Sequence, residues 1–291
     1  MRIGIVGYGN VGSYLADQIN SDEWENWELI WIWNRSYQKI IDAKKFRDNQ
    51  ILKYQNFTEF DEKYDEKLHK VDLIIEMTHP IVLKQNASIF LKYADLFVGS
   101  PTALADLEVE KIVRKAAIEN NRRVYIGRGA LPGAEDIRRM SDNGSLKALK
   151  ITMTKEPSHL HVEGRLIAIR DQAKEQNKKI VLYEGPVRDL CPLAPKNVNT
   201  MATASFAAQN LGLDQVTGCL IADPDIGAFH EVKVEIFGPK QEDGRQFKIT
   251  TVRMNPAALG QVTGKQTYVA FINSIKMAGK QREEPGMFHV V

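Results

Sequence analysis

The chain has 291 residues, which at roughly 150 residues per domain is enough for two domains. Hydrophobic residues make up 43% of the chain and charged residues 26%, as in ordinary globular proteins, so disordered and fibrous classes are excluded. The net charge of +2 gives no electrostatic reason to expect a nucleic-acid partner.

We expect a cytoplasmic protein without a membrane partner. No apolar run is long enough to span a membrane, and the first strand pattern begins at Ile3 without a signal-peptide pattern before it. The two cysteines, Cys191 and Cys219, are too few for a disulfide framework.

Strand and helix patterns alternate over the first third of the chain. Short apolar runs predict strands at Ile3–Val6, Leu29–Trp33, Val71–Glu76, Leu96–Gly99 and Arg123–Ile126. Helical spacing predicts helices at Val11–Ile19, Tyr37–Asn49, Ile81–Lys92 and Glu108–Asn120, and the charged stretch Glu59–Lys70 predicts a helix or a loop. Because parallel strands need crossover connections, this alternation predicts a doubly wound parallel sheet of the α/β class.

The pattern changes near Gly129. Longer runs, several of them alternating apolar and polar residues, predict strands at Ala148–Thr154, Lys179–Glu184, Gly218–Ala222, Glu231–Phe237 and Phe247–Arg253. Helices are predicted at Asn199–Ala208 and Thr263–Met277. We therefore predict an α/β domain over residues 1–128, to which residues 260–291 return, and an α+β domain with a mostly antiparallel sheet over residues 129–259.

A glycine-rich segment follows the first predicted strand and opens the first predicted helix. It matches the pattern G-x-G-x-x-G, and its members Gly7, Gly9, Asn10, Val11 and Gly12 are candidate cofactor-binding residues. Glycines permit the tight turn and the close approach of a pyrophosphate, which the helix N-terminus attracts. The alternative is a turn that serves packing only. The context favours a Rossmann-like dinucleotide-binding domain.

The end of the second strand is where a ribose-reading carboxylate would stand in an NAD-binding domain. This chain has Asn34 and Arg35 there, 22 residues after Gly12. Arg35 could stack on adenine or pair with the 2′-phosphate of NADP; otherwise it is a solvated loop residue. We therefore expect NADP to bind at least as well as NAD.

Further candidates follow later strands of the same sheet. Thr78, His79 and Ser100 come after predicted strands, at the carboxyl edge where ligands bind, and each could equally be a plain turn residue. His159 and His161 have the spacing that puts both rings on one face of a strand. Because no cysteine or carboxylate stands near them at ligand spacing, no metal site is expected.

Several separated segments resemble the L-aspartate dehydrogenase family, most closely its animal branch, the aspartate dehydrogenase domain-containing proteins. The segments are Gly129–Ile137, Tyr183–Val187, Pro195–Ala202, Ala222–Pro224 leading to His230, and Gly99–Pro101. With the glycine loop, the similarity covers nearly the whole chain. The Asn-Val-Asn stretch followed about thirty residues later by a histidine is more specific than the glycine pattern alone.

The resemblance implies oxidation of L-aspartate to iminoaspartate with NAD or NADP, followed by hydrolysis to oxaloacetate and ammonia. It makes His230 the active-site histidine, and it puts Ala130 and Asn199 at the nicotinamide end of the cofactor. Lys196 and Asn197 are candidate substrate contacts. Arg128, and Thr200 with the methionine after it, replace smaller residues common in the microbial enzymes, so the substrate pocket is expected to differ.

Two alternatives remain open at this level: an NADP-dependent reductase of another imino or oxo acid, and a non-catalytic NADPH-binding sensor protein. The second domain is expected to bind a small-molecule amino-acid substrate. Because a one-sided antiparallel sheet can bury its other face by self-association, we also expect a homodimer.

Overall fold

The computed structural model describes residues 1–21, 26–43, 51–257, 265–278 and 288–291. The chain forms two compact units. The first comprises residues 1–127 and 272–289 with residue 291, and the second comprises residues 128–271 with residue 290.

The first unit is built on a parallel sheet. Within the described residues its strands are β1 (Arg2–Val6), β2 (Glu28–Trp33), β3 (Leu52–Tyr54), β4 (Leu73–Glu76), β5 (Asp95–Val98), β6 (Val124–Ile126) and β12 (Phe288–Val290). Their order across the sheet is β12-β6-β5-β4-β1-β2-β3. The pairings of β1 with β2 and with β4 are parallel, and the strand order reverses direction at β1. Ligands of such sheets bind at this switch point, beyond the carboxyl ends of the strands.

Helices connect these strands. They are α1 (Asn10–Ile19), α2 (Gln38–Ile41), α3 (Phe57–Glu62), α4 (Glu66–His69), α5 (Pro80–Tyr93) and α6 (Leu107–Glu119). The core includes Trp31, whose fully buried ring occupies the space beside Gly4: a Cβ on Gly4 would lie 2.2 Å from the Trp31 ring. Trp33 stacks on Phe57 at 4.6 Å between ring centroids, so these tryptophans are packing residues.

The second unit contains a mixed sheet. Its strands are β7 (Ala148–Lys155), β8 (Ile180–Pro186), β9 (Thr217–Ala222), β10 (Phe229–Lys240) and β11 (Gln246–Pro256), in the order β11-β10-β7-β9-β8. The β7–β9 pair is parallel and the other pairings are antiparallel. Along β10 buried and half-exposed residues alternate from His230 to Gly238, which defines one buried face of the sheet.

Helices accompany this second sheet. They are α7 (Ala134–Asp142), α8 (Leu166–Glu175), α9 (Val187–Leu190), α10 (Asn199–Ala207) and α11 (Gly212–Gln215). The last helix, α12 (Lys265–Ala278), continues across the division between the units after residue 271. Helix α10 is buried from Thr200 to its end, so it is a core helix.

The predicted fold class, a doubly wound parallel sheet joined to an α+β unit, is confirmed. Strands β3 and β12 and helices α7, α8, α9 and α11 have no counterpart among the elements predicted from the sequence. In place of the single helix predicted over Tyr37–Asn49, the structure has the short α2, and residues 44–50 lie outside the described part. Among the helices that the structure describes, none has the length and apolar character needed to cross a membrane.

Candidate active site

The glycine loop lies between β1 and α1, with geometry that only glycine allows. Gly7 has φ +107°, and a Cβ there would lie 2.6 Å from Thr78 Cγ2. A Cβ on Gly12 would lie 1.9 Å from the Gly7 carbonyl oxygen, so the helix can begin this close to the strand only with glycine. Around Gly9, by contrast, a Cβ would meet nothing within 4 Å.

This loop fits the pyrophosphate of a dinucleotide. Gly9 is the N-cap of α1 and provides no side-chain cap, so the first N–H groups of the helix are available to an anion. Gly9 and Asn10 are exposed and Val11 is half-buried. The open space before Gly9 is where a phosphate could approach the backbone.

Asn34 holds the glycine loop against the end of β2. Its Oδ1 accepts a hydrogen bond from the Tyr8 N–H at 3.1 Å, and its Nδ2 donates to the Ser36 carbonyl at 2.9 Å. The neighbouring Arg35 is exposed. The amide of Asn34 is therefore used to shape the loop, whereas the Arg35 guanidinium stands in solvent beside it.

A buried carboxyl group lies at the end of β4, and the sequence analysis did not identify it. Glu76 is fully buried, and its Oε1 accepts hydrogen bonds from the Thr78 N–H at 2.6 Å and the Thr78 hydroxyl at 2.5 Å. Its Oε2 is buried with no partner among the described residues. Burial raises the pKa of the Glu76 carboxyl, against the opposing effect of the Thr78 hydrogen bonds.

The Glu76 contacts order the loop that touches Gly7. Ser100 donates from its hydroxyl to the Thr78 carbonyl at 2.6 Å, so Thr78 is fixed from both sides. His79 is exposed and caps α5, with its Nδ1 accepting from the Ile81 N–H at 3.4 Å. The structure thus brings Thr78 and Ser100 together next to the glycine loop and gives His79 a capping role.

His230 is the centre of the candidate site in the second unit. It is 4% exposed and lies on the buried face of β10. Its Nε2 is 3.1 Å from the Nδ1 of His159, and the two rings meet edge-on with centroids 5.1 Å apart. A single hydrogen bridges the two nitrogens, since one must donate and the other accept. The two imidazoles are therefore joined by one hydrogen bond and share its proton.

His159 ends a single 3-10 turn, Pro157–His159, and is fully buried. The prediction that His159 and His161 share one face of a strand is wrong, because this turn separates a buried His159 from an exposed His161. The Nε2 of His159 is buried without a partner among the described residues. Burial lowers the pKa of His159, which Glu156 raises and the charge of Lys155 lowers further.

Asn197 fixes the backbone around this histidine. Its Oδ1 accepts from the His161 N–H at 2.9 Å, and its Nδ2 donates to the His159 carbonyl at 3.1 Å. Both ends of the buried amide are thus engaged by the chain itself. Lys196 is exposed and borders a cavity of about 360 Å³ near His161 and Arg170.

Lys155 is a second group that the sequence analysis did not identify. It is 2% exposed at the end of β7, directly opposite His230 in the pairing of β7 with β10. Burial lowers its pKa to about 7. The residues next to Lys155 in sequence do not indicate that it is buried. Its burial follows from the register of β7 with β10, which places it opposite His230.

The remaining predicted contacts lie on other elements of the second unit. Ala130 is half-buried in the turn where the Leu131 N–H donates to the Arg128 carbonyl at 3.0 Å. Asn199 is half-buried and begins α10.

Comparison with known proteins places these features in a family. The family model described as "Aspartate dehydrogenase, C-terminal" matches residues 136–274, and the one described as "Homoserine dehydrogenase, NAD binding domain" matches residues 7–127. An aspartate dehydrogenase domain-containing protein of Xenopus tropicalis is 43% identical over 277 residues, covering 94% of this chain and 93% of the relative. The chain belongs to the aspartate dehydrogenase family.

Proteins with lower sequence identity to this chain are also named aspartate dehydrogenases. The L-aspartate dehydrogenase of Methanosarcina barkeri is 28% identical over 239 residues, covering 81% of this chain and 83% of that protein. The crystal structure of aspartate dehydrogenase from Thermotoga maritima has a TM-score of 0.65 over 97% of both chains, at 18% identity, and supports the fold.

Membership in the aspartate dehydrogenase family makes the protein a dehydrogenase that uses NAD or NADP and acts on a small molecule. The family resemblance, the enzyme class and the type of cofactor predicted from the sequence are confirmed.

Proposed function

We propose that this dehydrogenase oxidises L-aspartate to iminoaspartate, which is hydrolysed to oxaloacetate and ammonia. The observation that carries the proposal is the buried His230–His159 pair, in a chain whose relatives include proteins named L-aspartate dehydrogenase. Amine oxidation needs a group that exchanges protons near neutral pH, and imidazole is suited to it. His230 is then the catalytic histidine.

The glycine loop would hold the cofactor. Gly7, Gly9, Asn10, Val11 and Gly12 would receive the pyrophosphate, and Thr78, His79 and Ser100 would border it at the same sheet edge. Ala130 and Asn199 would contact the nicotinamide end. When bound, NAD or NADP supplies the acceptor for the hydride from the substrate Cα.

At the substrate end, the chain's own groups would bind and orient a dicarboxylate. Lys196, exposed at the edge of its cavity, would attract a carboxylate. Asn197 would act through His159, whose backbone it holds, so that the ring of His230 keeps one orientation. His230 would then take a proton from the water that attacks the imine.

We further propose that the first unit binds the dinucleotide and the second binds the substrate and forms a homodimer. The exposed apolar side chains Phe247, Val252 and Met254 of β11 support self-association. The two free, buried cysteines suit a reducing, cytoplasmic environment. Light scattering is expected to give twice the mass of the chain, and a monomer at all concentrations would refute the dimer.

The substrate is tested by nicotinamide absorbance at alkaline pH with NAD or NADP. L-aspartate should give reduced cofactor, whereas D-aspartate, L-glutamate, L-alanine and L-malate should give little. Turnover of another amino or hydroxy acid with none of L-aspartate would refute the proposed substrate.

NADP use is proposed from Arg35, which is exposed beside the glycine loop with no carboxylate at the neighbouring Asn34 or Ser36. Replacement Arg35→Ala should weaken NADP binding by about 1–3 kcal/mol and NAD binding much less, because a charge-assisted phosphate contact is lost. Titration calorimetry with both cofactors measures this. Equal losses would mean that Arg35 only packs on the adenine, and a preference of the unmodified protein for NAD would reject NADP.

A further inference from the structure

Lys155 stands on the buried face of the second sheet beside the catalytic histidine. In the pairing of β7 with β10, Lys155 lies opposite His230, and Met153 lies opposite Val232. Paired residues of adjacent strands project to the same face, so the amine and the imidazole share one environment. Both are nearly fully buried, at 2% and 4% exposure.

The carboxylates of Asp223 and Glu156, which lie near Lys155, interact with other groups. Asp223 follows β9 and uses Oδ2 in an ion pair with Lys179 at 2.9 Å. From the turn after β7, Glu156 accepts from the Ser158 N–H at 2.7 Å. Among the described residues, the His230–His159 pair also lies on this face, as do Arg253 and the buried Asn255 of β11, and Arg253 donates a hydrogen bond to Asn255. Burial disfavours the protonated amine and lowers the Lys155 pKa to about 7.

We propose that Lys155 is a second catalytic group of this enzyme and carries the proton of the substrate nitrogen, while the His230–His159 pair carries the proton of the attacking water. This inference rests on the proposed function, since it assigns a task in the oxidation of an amino acid. It divides two proton transfers between two neighbouring bases.

The ammonium group of bound L-aspartate gives one proton to the neutral Lys155 amine, and the substrate nitrogen regains its lone pair. The Cα–H bond then breaks, its electron pair leaves as hydride to the oxidised cofactor, and the nitrogen lone pair forms the C=N bond of the iminium ion.

Hydrolysis returns both groups to their starting states. Water adds to the imino carbon and gives a proton to the histidine pair. The Lys155 ammonium returns its proton to nitrogen as the C–N bond breaks, so ammonia leaves, and the hydroxyl proton passes to solvent as the carbonyl forms. The histidine pair releases its proton to solvent, so the net products are oxaloacetate, ammonia, reduced cofactor and two protons.

Two substitutions separate this role from carboxylate anchoring. Lys155→Gln removes both the base and the charge, and Lys155→Arg keeps a charge that cannot be released near neutral pH. We expect both to lower kcat by about 10²–10⁴ and to remove the acid limb near pH 7 from the pH profile. If Lys155→Arg keeps wild-type activity and Lys155→Gln raises only KM, Lys155 anchors a carboxylate and the proposal fails.

Lys150 provides the matched control. It lies on the same strand but on the opposite face, where Glu184 pairs with it at 2.6 Å. Lys150→Gln should keep the wild-type pH profile. Loss of the acid limb in this variant too would attribute the effect to strand stability and would overturn the assignment.

A direct titration gives a readout besides turnover. In protein labelled with ¹³C-lysine, the resonance absent from Lys155→Arg identifies Lys155 Cε, and its midpoint should fall near pH 7. A midpoint near that of ordinary lysines overturns the proposal. If the wild-type enzyme oxidises L-aspartate but Lys155→Gln keeps the acid limb, only the Lys155 inference fails. If no amino acid is oxidised, the proposed function fails and this role falls with it.

Discussion

His230 Nε2 and His159 Nδ1 lie 3.1 Å apart, although 71 residues separate them in the chain. The hydrogen bond joins a strand residue of β10 to the end of the turn after β7, and Asn197 fixes that turn from a third segment. The neutral pair can take up one proton and keep this hydrogen bond. A further proton would break the bond, so the pair carries at most one positive charge while the bond persists.

The first prediction concerns His230. His230→Ala should lower turnover by about 10²–10⁴ with little change in cofactor affinity, because the proton-exchanging ring is lost and the glycine loop is untouched. Steady-state kinetics and cofactor titration measure the two effects. Lys150→Gln, on the opposite face of β7 from the His230 site, serves as control and should stay active. Full activity of His230→Ala would contradict the assignment.

His230→Asn tells apart two roles of the same ring. An amide can donate a hydrogen bond to a carboxylate but cannot carry the proton. Low kcat with an unchanged KM supports proton transfer, whereas a raised KM would point to substrate anchoring instead.

The glycine loop offers a pair of substitutions with different expected effects. Gly9→Ala adds a methyl group into open space, so the unfolding temperature should stay the same while dinucleotide affinity falls at least about tenfold. In Gly12→Ala the Cβ would lie 1.9 Å from the Gly7 carbonyl oxygen, so both stability and affinity should fall. Thermal denaturation and fluorescence titration measure these effects, and unchanged affinity in Gly9→Ala would remove the loop from the cofactor site.

The buried carboxyl of Glu76 makes stability depend on pH. Because its pKa is raised in the folded protein, the stability that it contributes is present at low pH and is lost as pH rises through the folded pKa. The free energy of unfolding of Glu76→Gln should therefore equal that of the wild type at pH 4 and exceed it towards pH 8. Urea denaturation at both values tests this.

Glu76→Ala is the control for the hydrogen bonds. It leaves the Thr78 N–H and hydroxyl without their acceptor and should cost about 1–3 kcal/mol at pH 4, with a smaller cost towards pH 8 as the wild type loses the contribution of Glu76. If Glu76→Gln and wild type keep a constant difference from pH 4 to 8, the carboxyl does not have a raised pKa.

Lys155 should change the pH dependence of stability in the opposite direction, above pH 7. Its pKa falls from the ordinary 10.5 to about 7 on folding, so the unfolded chain binds more protons between these values and stability rises with pH. Relative to Lys155→Met, the wild type should gain up to roughly 1.4 kcal/mol per pH unit from pH 7 towards pH 10. Urea denaturation at several pH values, with Lys150→Met as control, measures it. Parallel stability profiles of wild type and Lys155→Met would contradict the burial of the amine.

Local patterns were sufficient for the glycine loop and for most strands. Gly7, Gly9 and Gly12 are adjacent in sequence to the strand and helix that give them meaning, so their geometry could be predicted. The resemblance brought His230 into the site. In contrast, Lys155 and His159 depend on the register of β7 with β10, which no local pattern contains.

The burial of Glu76 is a second feature that could not be predicted from the sequence. The strand that ends at Glu76 was predicted, but the burial of its last residue depends on Gly99 and Thr78 from the neighbouring connections. A carboxylate at the end of an apolar run usually reaches solvent, so composition alone favours the wrong environment. Long-range packing decides it.

The most direct test of L-aspartate oxidation is the fate of the hydrogen on Cα. With L-[2-²H]aspartate, mass spectrometry of the reduced cofactor should find one deuterium per molecule, and with L-[3-²H]aspartate it should find none. Reduced cofactor without deuterium from the 2-labelled substrate, or no reduction at all, would contradict the proposed reaction.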